Sequence, residues 1–303
     1  MKNWLLSLLV PVFIFAVPLP PNRAVTPPFI SGDAFRSFCD FAYDELTTSM
    51  DPTQVQPGNA VFVKTDYATH FFEKVHPKIL HPYVLVTHNS DDVAPGVCAK
   101  YLDDPKLLAW FAQNYDGTPH PKMHPIPIGI ANACWGHGNV QTLAKVQAMP
   151  LAKKHLAYMN IVVQTFPSER KVVFDHLAKR NYCRVEEKVS HEPFLKAIAS
   201  STFVVSPRGN GLDTHRLWEA LYLGSIPIVR ASSIDPVYEG LPVLVVKEWS
   251  EVSEELLNNA KREMGKKSWQ MERLSIDYWM KQIRGVYSSI ESPLQLDSSK
   301  QER

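Results

Sequence analysis

Residues 206–229, SPRGNGLDTHRLWEALYLGSIPIV, gather two guanidinium groups, three glycines, a histidine and two carboxylates in a short space. The forks of Arg208 and Arg216 suit phosphate oxygens, which they meet bidentately. Gly209 and Gly211 let backbone approach a ligand and can take positive φ, with Asn210 between them. Asp213 or Thr214 can cap the helix that begins there. The free amides of its first turn favour an anion by about 0.3–1 kcal/mol from the dipole alone. Glu219 follows Arg216 by three residues on nearly the same face. Its carboxylate can accept two hydrogen bonds from a vicinal diol such as a ribose. The plain alternative is a two-glycine turn with an Arg216–Glu219 surface pair. The dinucleotide fingerprint is ruled out, because Thr214 stands where its third glycine would fall.

These groups need elements to hold them. Short Val- and Ile-rich runs, too short for helices, alternate with segments of helical spacing. In the first half AVFVK (60–64), YVLVT (83–87) and HPIPIGI (124–130) read as strands, and residues 103–115, DDPKLLAWFAQNY, as a helix. In the second half YMNIVVQ, STFVVS, SIPIV and LPVLVV read as strands, separated by SERKVVFDHLAKR, SHEPFLKAIAS and THRLWEALYLG as helices. Two such blocks predict two parallel α/β domains facing a cleft. The boundaries are 58–150 and 151–290, the second ending in an amphipathic closing helix. PRGNG then lies at the carboxyl end of a strand, where open α/β sheets place ligands, and Gly224 ends the helix.

A chain of 303 residues accommodates two such domains, and its net charge of +1 excludes non-specific nucleic-acid binding. Cys39, Cys98, Cys134 and Cys183 form no C-x-x-C pair, which argues against zinc and leaves free thiols or one long-range disulfide. Residues 1–20 carry Lys2 and an apolar run from Trp4 to Val17. This is the layout of a signal peptide or signal-anchor, hence a membrane-associated or secretory setting. Against a long stay in a eukaryotic secretory lumen, the chain has no N-x-[ST] triplet. Residues 21–57 read as a proline-rich tether and extension, and 291–303 as a polar tail.

The segment FVVSPRGNGLDTHRLWEALYLGSIPIV resembles the donor-binding segment of exostosin-type glycosyltransferases and, more distantly, of α1,3-fucosyltransferases. The residues that carry the likeness are Pro207, Arg208, Gly209, Arg216, Glu219, Ala220, Leu221, Gly224, Pro227, Ile228 and Val229. The resemblance implies a GT-B fold with two Rossmann-like domains. It also implies a nucleotide diphosphate sugar on the C-terminal domain, a glycan or other hydroxyl acceptor on the N-terminal one, and no obligatory metal. Arg208 and Arg216 would hold the diphosphate and Glu219 the ribose. A UDP-sugar is favoured. GDP-fucose, or a non-catalytic, membrane-tethered nucleotide- or glycan-binding protein, are the alternatives.

Other residues complete such a site. After the first strand of the second block, FPSER with Thr165 reaches the cleft mouth, where Arg170 can balance leaving-group charge or be an exposed helix arginine. Inversion at a sugar carbon needs a base on the facing domain. Asp91 is preferred, then His88, with Asp66 third; the NSDD run around Asp91 is also ordinary turn chemistry. Asn132, Trp135 and His137 lie in a glycine-rich loop suited to a sugar acceptor. His120, His124 and His137 invite a metal reading, but prolines beside the first two disfavour a helical pair.

Overall fold

The computed structural model describes residues 27–286. The first lobe contains α1 (Gly32–Phe38), β1 (Phe41–Tyr43), β2 (Ala60–Lys64), α2 (Ala68–His70), β3 (Tyr83–His88), β4 (Leu107–Ala112) and β5 (Met123–Pro125). Its five strands pair in parallel in the order β1-β2-β3-β4-β5. Side chains alternate across this sheet as the strand period requires. Phe62, Val84, Val86 and Phe111 face one core with Phe35 of α1. Val61, Val63, Leu85 and Trp110 face another, with Phe71 and Phe72 from the helical turns that follow α2.

The second lobe runs through α3 (Val140–Gln147), β6 (His155–Met159), α4 (Pro167–Leu177), β7 (Cys183–Val185) and α5 (His191–Ala199). It continues with β8 (Ser201–Val205), α6 (His215–Tyr222), β9 (Ile226–Arg230), β10 (Leu244–Val246) and α7 (Glu254–Met264). All its strands are parallel, in the order β10-β9-β8-β6-β7. From β6 the chain winds one way to β7, then the other way through β8 to β10. The switch point therefore lies between β6 and β8, and the crevice beyond their carboxyl ends is where doubly wound sheets bind ligands. Two parallel five-stranded sheets facing one cleft give the GT-B architecture.

Several elements differ from the sequence expectation. Leu107–Ala112 is a strand, not part of a helix. It sits between β3 and β5 and is buried on both faces, so the alternation that marks a half-exposed strand is absent. The expected strand over 124–130 stops at Pro125, because Pro125 and Pro127 have no N–H for a ladder. The strand expected around Tyr158 is His155–Met159 and ends before Asn160. α1 and β1 extend the first lobe into what read as a tether. The Cys183–Val185 strand has only three residues, too few to show a period. All four cysteines are free.

The lobes share one apolar core, in which Phe29, Ile30 and Phe35 meet Trp218, Tyr222, Trp279 and Ile283. The helix at 276–286 returns to the first lobe, where Ile276 N donates to the Pro28 carbonyl at 2.9 Å. Tyr222 Oη accepts from Ile30 N at 2.9 Å and donates to the Leu274 carbonyl at 2.7 Å, joining both chain ends to α6. The apolar N-terminal run and the polar tail lie outside the described residues. Among the described residues no helix is long and apolar enough to cross a membrane.

Candidate functional site

Between the carboxyl ends of β6 and β8 and the facing lobe lies a cleft of about 770 Å³. Thr165, Arg170, His191, Gly209, Arg216 and Glu219 line it from the second lobe, and Asp91 and His137 from the first. Arg216, on the first turn of α6, leaves Nε and Nη1 buried with no hydrogen-bond partner among the described residues. Burial, with the Arg170 guanidinium nearby, pushes its pKa down to about 10. It therefore stays charged at neutral pH. Glu219 takes no ion pair from it. Its Oε1 accepts from His191 Nε2 at 3.1 Å, and among the described residues no hydrogen bond reaches Oε2. The surface-pair alternative for Arg216 and Glu219 is excluded, since Glu219 is only 4% exposed and, among the described residues, pairs with His191 and not with Arg216. Two buried donors and a carboxylate oxygen thus face the same space. Unmet polar groups of this kind cost about 1–3 kcal/mol each unless a ligand meets them.

Arg170 and Arg208 exchange the roles expected of them. Arg170 is 6% exposed and sits in the cleft wall, donating from Nε to the Arg208 carbonyl at 2.8 Å and from Nη1 to the Val162 carbonyl at 3.0 Å. Arg208 folds back on its own loop, donating to the carbonyls of Gly209 at 3.3 Å and Asn210 at 2.7 Å. Its guanidinium lies 4.3 Å from the centre of the Phe166 ring. It borders a separate small pocket with Glu169 and Arg230, so it staples the loop and does not face the cleft.

The glycines differ from expectation in the same way. Neither Gly209 nor Gly211 has positive φ; Gly224, which ends α6, does, at 65°. Gly211 is needed for room. A Cβ there would lie 2.7 Å from Asn114 Nδ2. Asn114 cannot move aside cheaply, because its Oδ1 accepts from Leu212 N and Asp213 N while its Nδ2 donates to the Ser90 carbonyl. Asp213 is not a cap of the usual geometry. Its Oδ1 accepts from Thr214 N at 2.8 Å and Tyr238 Oη at 3.2 Å, its Oδ2 from Trp218 Nε1 at 2.8 Å and Ile128 N at 2.9 Å. Ile128 belongs to the facing lobe, so this buried carboxylate bolts the two lobes together. Asn210 also bridges them, donating to Asp91 at 3.2 Å.

On the first-lobe side a second chamber of about 450 Å³ adjoins the cleft, lined by Lys64, Asp66, His88, Asn132 and Trp135 among others. Trp135 is 60% exposed there, an open aromatic face. Asn132 is held in place, accepting from Asp33 N at 2.9 Å and donating to Asn89 at 2.9 Å. His88 does not fit the part of a base. Its Nε2 donates to the Pro127 carbonyl at 3.0 Å, its Nδ1 accepts from Asn89 N at 2.7 Å, and burial lowers its pKa to about 4. Both nitrogens serve the fold. Asp66 stands exposed at the chamber mouth, whereas Asp91, His137 and His215 line both chambers.

His215 and His191 went unassigned in the sequence. His215 lies inside the quoted loop, but nothing in the sequence shows which neighbour holds its ring. His191 lies on another helix, and only the fold brings it to Glu219. Among the described residues no group of three or more His, Cys, Asp and Glu side chains could hold a metal ion.

Residues 156–288 match the family described as RXYLT1 C-terminal domain. No curated protein matches the chain. Among solved structures, the GtfA/B complex is similar at 11% identity and a TM-score of 0.38, over 78% of this chain and 57% of that one. The chain thus spans little more than half the length of that relative. A UDP-forming α,α-trehalose-phosphate synthase from Burkholderia vietnamiensis is 7% identical over 80% of this chain and 76% of its own, at a TM-score of 0.35. An α,α-trehalose 6-phosphate synthase from Burkholderia multivorans is 9% identical over 83% and 74%, also at 0.35. Scores this low carry no argument about chemistry. The family match covers the lobe that holds β6, β8 and the arginine cleft, so it is this lobe, residues 156–288, that is similar to the RXYLT1 C-terminal domain.

Proposed function

We propose that the cleft binds a nucleotide diphosphate sugar and that the chain transfers its sugar, with inversion, to a hydroxyl of a glycan or similar acceptor in the adjoining chamber. The observation that carries this reading is Arg216, whose buried Nε and Nη1 have no partner among the described residues and sit beside Arg170 at the switch point of a parallel sheet. Two guanidinium groups held in a water-poor crevice stabilise charge that develops on a departing diphosphate. Glu219 Oε2 is the acceptor for ribose hydroxyls, and Gly209 and Gly211 keep the loop low enough for the phosphates to reach these groups. On this reading no resident metal is required, because the guanidinium groups supply the positive charge. Trp135, Asn132 and His137 offer the acceptor an aromatic face and polar contacts. The resemblance favours a UDP-sugar. The apolar run of residues 4–17 supports a membrane-associated or secretory setting.

The test is thermal unfolding of the full chain with nucleoside mono- and diphosphates of uracil and guanine. At a hundredfold excess over Kd a diphosphate should raise stability by about 2.7 kcal/mol, or roughly 5–10 °C in Tm. Preference for GDP would shift the reading to a fucosyltransferase-like donor. Binding without turnover of any sugar nucleotide would leave a binding protein. No shift with any diphosphate, or a full shift in Arg216→Ala, would overturn the site assignment.

A further inference from the structure

Resting on the nucleotide-sugar reading, we infer that His215 is the catalytic base, its Nε2 taking the proton of the acceptor hydroxyl at the junction of the two chambers. The tautomer follows from one contact. His215 Nδ1 lies 2.8 Å from the carbonyl oxygen of Gly129, which can only accept, so Nδ1 carries the hydrogen. In the neutral ring Nε2 is then the lone-pair nitrogen, and among the described residues no donor reaches it. The ring lines the donor cleft and the acceptor chamber alike.

Position on the helix matters as well. His215 and Arg216 are consecutive in the first turn of α6, so they project about 100° apart. One ring reaches the facing lobe at Gly129 while the neighbouring guanidinium holds its free donors in the donor cleft. A base and a leaving-group clamp are thereby fixed to one rigid turn. The positive end of that helix disfavours an imidazolium, as does burial. Burial is the largest influence and lowers the His215 pKa; Glu219 and Asp91 act in the opposite sense, while His137, whose ring centre is 5.9 Å away, adds to the lowering. His88 and the Arg216 guanidinium are also nearby, and Glu45, Lys64 and Asp66 line the same chamber. At neutral pH the ring is unprotonated, as a base must be.

The step balances. The acceptor oxygen forms a bond to the anomeric carbon as the bond from that carbon to the diphosphate oxygen breaks. The bonding pair leaves with the diphosphate, towards Arg216 and Arg170, and the hydroxyl proton passes to Nε2. The imidazolium then returns the proton to solvent.

Nucleoside diphosphate release from UDP- and GDP-sugars, with water or soluble sugars as acceptor, tests this in the full chain. His215→Asn places an amide N–H where Nδ1 donates to Gly129 and removes the Nε2 lone pair. It should lose about 10²–10⁴-fold in turnover, keep its nucleotide affinity, and lose the acid limb of the pH–rate profile. In the unaltered protein that limb should fall below the ordinary histidine pKa of about 6.5 and move with temperature, as an imidazole's does and a carboxylate's does not. This second measurement stands even if the variant fails to fold. A His215→Asn protein with unchanged turnover overturns the proposal. So does an acid limb that does not move with temperature, or one abolished by Asp91→Asn alone. An unaltered protein that binds no nucleoside diphosphate fails the donor reading itself, and the base falls with it.

Discussion

Arg208 donates to carbonyls of its own loop and stacks on Phe166, whereas Arg216 holds Nε and Nη1 without a hydrogen-bond partner among the described residues. The two should therefore respond differently to truncation. Losing charged hydrogen bonds to a diphosphate, at about 1.5–3 kcal/mol each, should raise the Kd of Arg216→Ala about 10²-fold. Arg208→Ala loses only loop order and should raise Kd less than about tenfold. Calorimetric titration with UDP and GDP measures both, and equal losses would contradict the division of roles. Sequence alone showed that this loop was cationic, but not which arginine faced the ligand. Arg208 and Arg216 have the same chemistry on paper. Only the Phe166 ring and the loop carbonyls, supplied by folding, draw one of them away. Arg170 was ambiguous for the same reason, since a helix arginine is buried or exposed according to what packs over it. His88 looked like a base by type, and the bonds to Pro127 and Asn89 that disqualify it are three-dimensional facts.

At the scale of elements, the strand–loop–helix around α6 was legible because its parts agree. STFVVS ends in Ser-Pro, the glycines come next, and a helical apolar stripe runs to Gly224. Leu107–Ala112 was not legible. A central strand buried on both faces shows a continuous apolar run, and the flanking charged residues mimic a helix. The glycine loop itself is fitted to a neighbour by space, not by φ. Gly211→Ala would drive a methyl to 2.7 Å from Asn114 Nδ2 and displace a side chain that holds Leu212, Asp213 and Ser90. We expect a loss of about 1–3 kcal/mol in urea denaturation, as for other overpacked sites, together with weaker nucleotide binding. A fully stable variant would show that Asn114 is freer than its bonds imply.

For the whole molecule, Asp213 is the most telling single side chain, because it accepts from Ile128 in one lobe and from Trp218 and Tyr238 in the other. Burial raises its pKa to about 6, against donors that favour the ionised form. The unfolded chain loses this proton near pH 4, so between about pH 4 and 6 the folded state binds more protons and the group's contribution falls as pH rises. The stability margin of the unaltered protein over Asp213→Asn should therefore shrink across that window, by no more than about 3 kcal/mol. Urea titrations at several pH values read it, and a margin that widens would reverse the assignment. The two-lobed plan itself was visible in the repeated strand–helix blocks. The return of the 276–286 helix to the first lobe was not, because the contact of Ile276 with Pro28 joins opposite ends of the chain. That return has a mechanical consequence. Two stretches of polypeptide, one after β5 and one before residue 276, cross between the halves. A pair of straps resists twisting and sliding but still permits bending about the line that joins them.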